Sequence, residues 1–110
     1  KEIIISSEKS PSQSKFFRHD NIQWLYCVPK YPCELSEIDF RNKNEFNGFS
    51  NHCPNVLAPL ISTVLGGKIL EIHITSNKKN DFVDNNVSFD YDELSYLMKM
   101  INESEKMKLH

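Results

Sequence analysis

The sequence has 110 residues, which corresponds to one ordinary domain or to half of a large one. Its 13 basic and 15 acidic side chains give a net charge of −2, and no basic patch typical of nucleic-acid-binding proteins stands out. No apolar run approaches the roughly 18–20 residues that span a bilayer, and no charged-then-apolar leader opens the sequence. We therefore expect a cytoplasmic protein that binds neither nucleic acid nor membrane.

The three cysteines, Cys27, Cys33 and Cys53, are odd in number and irregularly spaced. Such a pattern argues against a disulfide framework and fits a reducing compartment. The sequence also starts at Lys1, inside a strand-like run, rather than at a methionine. We therefore expect it to be a fragment or a processed product.

Four short runs rich in β-branched and aromatic residues predict strands, at residues 2–6, 22–28, 46–50 and 68–75. The segment 7–20 predicts a loop or a short helical turn, and a weaker helix is expected near residues 34–45. A helix after the third run is marked by Leu57, Leu60, Ile61, Val64 and Leu65, with Pro59 in its first turn and Gly66-Gly67 as its stop. The last helix has Asp90 as its N-cap, Glu93 three residues on, and an apolar face that runs to about residue 105.

The predicted order is therefore β, loop, β, α, β, α, β, α. Strands that alternate with helices favour parallel pairing through crossover connections. The sequence thus predicts an α/β fold of four β(α) units with parallel strands, which form either half of a barrel or a small open sheet.

The fourth strand-like run has two chemically different faces. Leu70, Ile72 and Ile74 share the face that suits packing on helices, whereas Glu71 and His73 share the other. In a barrel, the inward face near the carboxyl end of a strand lines the active site. The alternative is an edge strand with one wet face, on which Glu71 and His73 are merely solvated.

Four blocks of the sequence resemble, in the same order, segments of the N-acetylneuraminate (sialic acid) synthase family. Residues 1–6 are similar to its K-P-[IL]-I-[LV]-S strand, and residues 25–32 to its L-H-C-[TV]-x-x-Y-P strand end. Residues 49–52 resemble the segment that ends in S-D-H, and residues 69–75 resemble its I-E-[KR]-H-F-T strand. Further along, Asp84, Ser88 and Asp92-Glu93-Leu94 look like the family's Asp, Ser and helix-opening signature.

This resemblance implies the second half of a (β/α)8 TIM barrel. It implies one partial synthase domain over residues 1–110, with the first four strands and a C-terminal antifreeze-like domain outside this sequence. Half a barrel exposes strand edges and the inner faces of its helices, so we expect self-association or pairing with the missing half.

The family condenses phosphoenolpyruvate with the open-chain aldehyde of a 2-acetamido sugar, using a divalent metal as a Lewis acid. The resemblance implies manganese, with Mg²⁺ or Co²⁺ as alternatives, on His52 and His73. By family position the phosphate ligands would be Lys1, Ser6 and Ser50, although Lys1 is equally explained as a solvated terminus. Tyr31, Glu71 and Asp84 fall where the family contacts the sugar or orders the metal site, and they are the candidate catalytic residues.

Three positions depart from the family pattern. Glu8 replaces a turn glycine, Asn51 replaces the aspartate of S-D-H, and Pro29 replaces a polar residue near the phosphate. Each change weakens phosphoenolpyruvate binding more than metal binding. The sequence therefore leaves open a part of a sugar-acid synthase and a non-catalytic metal- or sugar-binding relic of that fold.

A hypothesis of another class is a small zinc-binding module on Cys27, Cys33, His52 and Cys53. The spacing lacks the C-x₂-C or H-x₃₋₅-H pairs of such sites, and buried cysteines are explained as small apolar residues. His19 and His110 lie in polar contexts and are interpreted as bystanders.

Overall fold

The computed structural model describes residues 1–17, 19–79 and 84–109, so His110 lies outside the described residues. Its strands are β1 (Ile3–Ser7), β2 (Ile22–Tyr26), β3 (Gly48–Ser50) and β4 (Ile69–Glu71), and its helices are α1 (Leu57–Val64) and α2 (Tyr91–Ser104). The strands form one sheet in the order β1-β2-β3-β4, and every pair is parallel. The predicted α/β fold of parallel strands and crossover connections is confirmed.

Both helices have the ends that the sequence predicts. The Asp90 carboxylate accepts from the Glu93 N–H at 2.8 Å, and the Glu93 carboxylate accepts from the Asp90 N–H at 3.2 Å, which forms a capping box at the start of α2. After α1, Gly66 has φ 104°, a left-handed conformation that favours glycine at a helix end. Leu97 and Ile101 of α2 pack with Phe89 as a buried cluster.

The weaker helix expected near residues 34–45 is wrong. The structure has two 3-10 turns there instead, Leu35–Glu37 and Lys43–Glu45. Phe40 and Phe46 lie six residues apart, which on an α-helix would point them in widely different directions. Both instead contact the Tyr26 ring, because the irregular chain folds back over it.

The fourth strand is shorter than predicted, because β4 ends at Glu71 rather than at residue 75. Beyond Glu71 the chain exchanges its partner from β3 to Phe89, with which Ile74 forms an isolated parallel bridge. The Phe89 N–H donates to the His73 carbonyl at 2.8 Å, and the Thr75 N–H donates to the Phe89 carbonyl at 2.9 Å. His73 therefore lies at a point where the sheet changes strands.

The register assigns the side chains to two faces, since paired residues of parallel strands point the same way. Tyr26, Phe49 and Leu70 are in register and belong to a core cluster that includes Ala58 of α1, so their face carries the helix. Ser50 and Glu71, also paired, lie on the opposite face. The predicted orientation of β4 is confirmed for Leu70 and Glu71.

The prediction that Ile74 packs on helices is wrong, because its side chain is 56% exposed. Ile72 does pack against the cluster formed by Phe89, Leu97 and Ile101. The difference arises after β4, where the chain leaves the regular sheet and its alternation no longer matches the helix layer.

Candidate active site

His52 is fixed by the strand end that carries it. It lies two residues beyond β3, is 5% exposed, and has its Nδ1 2.5 Å from the Val28 carbonyl oxygen. A carbonyl can only accept, so Nδ1 carries the hydrogen and, in the neutral ring, Nε2 presents its lone pair. The His52 carbonyl in turn accepts from the Cys33 N–H at 2.9 Å. This is the arrangement that orients a metal-binding imidazole in many sites.

Asn51 stabilises the same turn from inside the protein. Its side chain is fully buried, donates through Nδ2 to the Cys53 carbonyl at 2.7 Å, and accepts from the Cys53 N–H at 3.2 Å. An aspartate has no donor for that carbonyl. The departure from the family's S-D-H is therefore a change in how the backbone is held, a role that the sequence analysis missed although Asn is a frequent turn-former.

Ser50 and Glu71 form a hydrogen-bonded pair at the ends of β3 and β4, just before the two histidines in the chain. The Ser50 hydroxyl donates to a Glu71 carboxylate oxygen at 2.6 Å, and Ser50 is 1% exposed whereas Glu71 is exposed. His52 and His73 each lie two residues further along the chain. The strand register that pairs Ser50 with Glu71 thus also brings the two imidazoles together.

The rings of His52, His73 and Tyr31 converge. The two imidazole centroids are 5.9 Å apart, and the Tyr31 ring lies 4.1 Å from His52 and edge-on to His73 at 6.4 Å. Partial desolvation of the half-exposed phenol, followed by the Asp84 carboxylate, raises the pKa of Tyr31 above its ordinary value. The Tyr31 hydroxyl therefore stays protonated at neutral pH and is available as a donor.

Asp84 approaches His73 from the following segment. Its Oδ2 lies 3.8 Å from the His73 Nδ1, and its φ of 65° is left-handed, a conformation that Asp tolerates better than most residues. The Ser88 hydroxyl donates to the Asp84 carbonyl at 2.7 Å and stabilises this turn. The structure thus brings together six predicted site residues: Tyr31, Ser50, His52, Glu71, His73 and Asp84.

The two remaining predicted residues lie apart from this group. Ser6 is paired with Leu25, whose side chain shares a face with Ser50, so Ser6 is on the site face but two strands away. Lys1 precedes the amino end of β1, roughly 16 Å from Ser6 at about 3.3 Å per strand residue. The structure does not bring Lys1 to the histidines.

The turn after β1 is closed by a side chain. The Ser7 hydroxyl accepts from the Lys9 N–H at 3.1 Å and donates to the Lys9 carbonyl at 2.9 Å. A hydroxyl thus stabilises the turn in which Glu8 occupies the position of a glycine in the family that the sequence resembles.

Burial raises the pKa of the Cys27 thiol, and the Glu8 and Glu71 carboxylates add to the effect.

The donor set fits a divalent ion with an incomplete protein shell. Two imidazole nitrogens about 2.1 Å from a shared ion put their ring centroids no more than about 6.5 Å apart, and the observed 5.9 Å is compatible with that limit. Among residues 1–17, 19–79 and 84–109, no group of three or more His, Cys, Asp or Glu side chains is placed to hold a metal. His52 and His73 would therefore leave most coordination positions to water and substrate.

The zinc-module hypothesis gains no support from this geometry. Cys27, Cys33 and Cys53 are buried free thiols, and together with His52 they do not form a metal-binding group. Burial, with a smaller effect of Cys53, raises the pKa of Cys33 to about 11, so it is a protonated thiol at neutral pH.

Comparison with known proteins identifies the family. The model of the NeuB family matches residues 10–109, and this chain belongs to that family. It is 26% identical over 109 residues to the pseudaminic acid synthase of Campylobacter jejuni, covering 93% of this chain and 29% of that protein. It is 27% identical over 94 residues to the human N-acetylneuraminate-9-phosphate synthase, covering 78% of this chain and 26% of that protein.

An uncharacterized protein of Methanocaldococcus jannaschii, MJ1065, is 31% identical over 90 residues, covering 76% of this chain and 27% of its own length. The solved N-acetylneuraminic acid synthetase of Leptospira borgpetersenii superposes with a TM-score of 0.80 at 24% identity, covering 96% of this chain and 42% of that one. The fold is therefore that of a sialic-acid-synthase TIM barrel, in part. This chain spans between a quarter and a third of the length of these curated relatives.

No helix among the described residues is both long enough and apolar enough to cross a membrane.

Proposed function

We propose that this chain supplies the metal-binding and sugar-binding side of a sialic-acid-type synthase, which condenses phosphoenolpyruvate with the aldehyde of a 2-acetamido sugar. The observation that carries the proposal is the His52–His73 pair at the carboxyl ends of β3 and β4, with centroids 5.9 Å apart, in a chain of the NeuB family. Phosphoenolpyruvate, the amino sugar and a cytoplasmic location belong to this proposal as expectations of the family.

His52 and His73 would hold the divalent ion, for which manganese is the choice and Mg²⁺ or Co²⁺ the alternatives. When bound, such an ion acts as a Lewis acid towards the aldehyde oxygen of the sugar. His52 is oriented for the task, since its Nδ1–H donates to the Val28 carbonyl and directs Nε2 away from it. The Asp84 carboxylate lies 3.8 Å from the Nδ1 of His73, close to the ring but beyond hydrogen-bond distance.

The neighbouring side chains are suited to bind an uncharged polyol. Glu71 uses one oxygen for the Ser50 hydroxyl, which leaves the other to accept from a sugar hydroxyl or an acetamido N–H. Tyr31 is half exposed beside both imidazoles and donates through a phenol that stays protonated. These contacts would orient the aldehyde over the histidines and exclude water from one side of it.

The phosphate-binding part of the proposal assigns Ser6 and Ser50 as hydroxyl donors and Lys1 as the cation. Ser50 can donate to a phosphate only by giving up its hydrogen bond to Glu71. Lys1 can donate only if its side chain reaches the site from the opposite end of β1. We therefore propose that parts of the synthase outside this sequence complete the phosphate end.

A non-catalytic relic is the second candidate, and one observation favours it. The site carries the carboxylates of Glu71 and Asp84, and among the described residues neither has a lysine or arginine within ion-pair distance. Such a surface favours a cation or a sugar over an anionic phosphoenolpyruvate.

The test is to titrate manganese into the chain, with and without phosphoenolpyruvate, and to measure the binding by isothermal titration calorimetry. His52→Ala and His73→Ala should each weaken manganese binding by about 10- to 100-fold or more, whereas His19→Ala, which removes an imidazole outside the site, should not. Manganese binding that both site variants leave unchanged refutes the metal assignment. If manganese binds and phosphoenolpyruvate does not, the relic is favoured for the isolated chain.

A further inference from the structure

A cavity lies on the helix-bearing face of the sheet, opposite the face of Ser50 and Glu71. It has a volume of about 270 Å³ and opens between the irregular segment 38–46 and the end of α1. Its walls include the rings of Tyr26, Phe40 and Phe46, and the backbone of Gly66 and Gly67 forms part of its lining. None of the predicted active-site residues contributes to it.

The aromatic wall is held in place before any ligand arrives. The Tyr26 centroid lies 5.4 Å from that of Phe46 and 5.8 Å from that of Phe40. The Tyr26 hydroxyl accepts from the Asp39 N–H at 2.9 Å, which ties the segment 38–46 to β2. A small apolar ring would therefore meet preformed edges and faces at the spacing that aromatic groups prefer.

Ser62 provides a polar group close to the aromatic residues of this cavity. The residue is 6% exposed and lines the cavity, and its hydroxyl makes no hydrogen bond with any residue that the structure describes. Gly67 packs so closely on it that a Cβ there would come within 2.7 Å of the Ser62 Oγ. The donor and the lone pairs of this hydroxyl are therefore available to a ligand that enters the cavity.

The cavity rim gives no preference for a charged ligand. Lys43 and Asp39 lie there with opposite signs. Asp39 is already paired with Arg41 through two bonds of 2.9 and 2.8 Å. A neutral ligand therefore loses less solvation on entry than an ionised one.

We propose that this cavity is a binding site for a small neutral ring compound with one hydroxyl group, of the phenol class. Its ring would contact Tyr26, Phe40 and Phe46, and its hydroxyl would bond to Ser62. The volume is adequate, since an apolar cavity of about 150 Å³ already accommodates benzene. The site is independent of the metal centre and of the synthase proposal.

The experiment is a ligand-observed NMR titration of the full chain with phenol and with toluene, which has a similar shape but no hydroxyl. Phenol should bind about 3- to 10-fold more tightly than toluene, corresponding to one added hydrogen bond. Ser62→Ala should abolish this advantage and leave toluene binding unchanged. Ser95→Ala, at an exposed serine of α2, is the matched control and should change neither affinity.

A second variant tests the cavity itself. Leu65→Trp places a large ring at a lining position and should weaken the binding of both ligands at least 10-fold. This result counts only if the circular dichroism spectrum of the variant matches that of the wild type. If the variant does not fold, the Ser62→Ala comparison decides alone. Two results would overturn the proposal. One is that neither phenol nor toluene binds the wild-type chain at millimolar concentration, and the other is that Ser62→Ala leaves the preference for phenol intact.

Discussion

The two histidines of the candidate site stand on strand ends of different construction. His52 is 5% exposed and is held by main-chain groups on both sides, through Val28 and Cys33. The His73 side chain is 27% exposed, and the residue lies two positions after a strand of three residues, with the partly exposed Asp84 carboxylate 3.8 Å from its Nδ1. One imidazole is fixed by the core, whereas the other is positioned by the segment that follows it.

This difference suggests that the two histidines have different roles at a metal site. A ligand whose ring cannot turn sets the position of the ion, and a ligand on a less packed strand adjusts when the substrate enters. Stability measurements test this difference between the two strand ends, because they do not require a bound metal.

The largest contrast concerns the residues that support each end. Phe49→Ala removes a fully buried ring next to Ser50 and should lower the free energy of unfolding by about 3–5 kcal/mol. Ile74→Ala, next to His73, removes a side chain that is 56% exposed and should cost no more than about 0.5 kcal/mol. Urea unfolding at equilibrium measures both, and similar losses would show that the β4 end is packed as tightly as the β3 end.

The histidines themselves should differ in the same direction. His52→Ala removes a buried ring and its bond to the Val28 carbonyl, so we expect a loss of about 1–3 kcal/mol. His73→Ala removes a partly exposed ring and should cost less than about 1 kcal/mol. Thermal unfolding without metal provides the measurement. A larger loss in the His73 variant would invert the comparison.

Asp84 tests how much the segment after β4 depends on its backbone. Asp84→Ala places alanine at φ 65° and should destabilise the chain by about 1 kcal/mol. Asp84→Asn also removes the charge but tolerates the left-handed conformation, so it should stay within about 0.5 kcal/mol of the wild type. Equal losses in the two variants would assign the effect to the carboxylate rather than to the backbone.

The smallest expected effect concerns the stability of the chain at alkaline pH and does not alter its stability at neutral pH. The pKa of Cys33 is raised to about 11 in the folded chain, chiefly by burial, so the folded state favours the protonated thiol. The stability that this contributes is present below the ordinary thiol pKa and is lost as the pH rises through about 9 to 11. Unfolding curves of the wild type should show this alkaline loss, and Cys33→Ala should reduce it. An unchanged alkaline limb in the variant would contradict the assignment.

Much of the fold follows from local signals in the sequence. The capping box at Asp90, the glycine after α1 and the alternation around Leu70 each specify one local conformation, and all three agree with the structure. The resemblance to the synthase family, rather than any spacing, indicated that His52 and His73 share a site. The structure accounts for their proximity, because the paired residues Ser50 and Glu71 each lie two positions before a histidine.

The remaining features depend on contacts between distant residues. The Val28 carbonyl that orients His52 lies 24 residues away in sequence, and the packing of Phe40 and Phe46 on Tyr26 replaces a helix that local propensity favoured. Similarly, the exchange of partner from β3 to Phe89 ends β4 early. Propensity and periodicity describe one segment at a time and do not contain such pairings.

The alignment of Ser50 with Glu71 has a consequence for how this chain can vary. A single inserted residue between Ser50 and His52 would move the imidazole away from the Val28 carbonyl to which its Nδ1 donates. The exposed part of the irregular segment before β3 has no such contact to preserve and would accommodate changes of length. Insertions should therefore be tolerated between Arg41 and Lys43 but not between a strand and its histidine, and a library of random insertions would display this as a sharp boundary at Ser50.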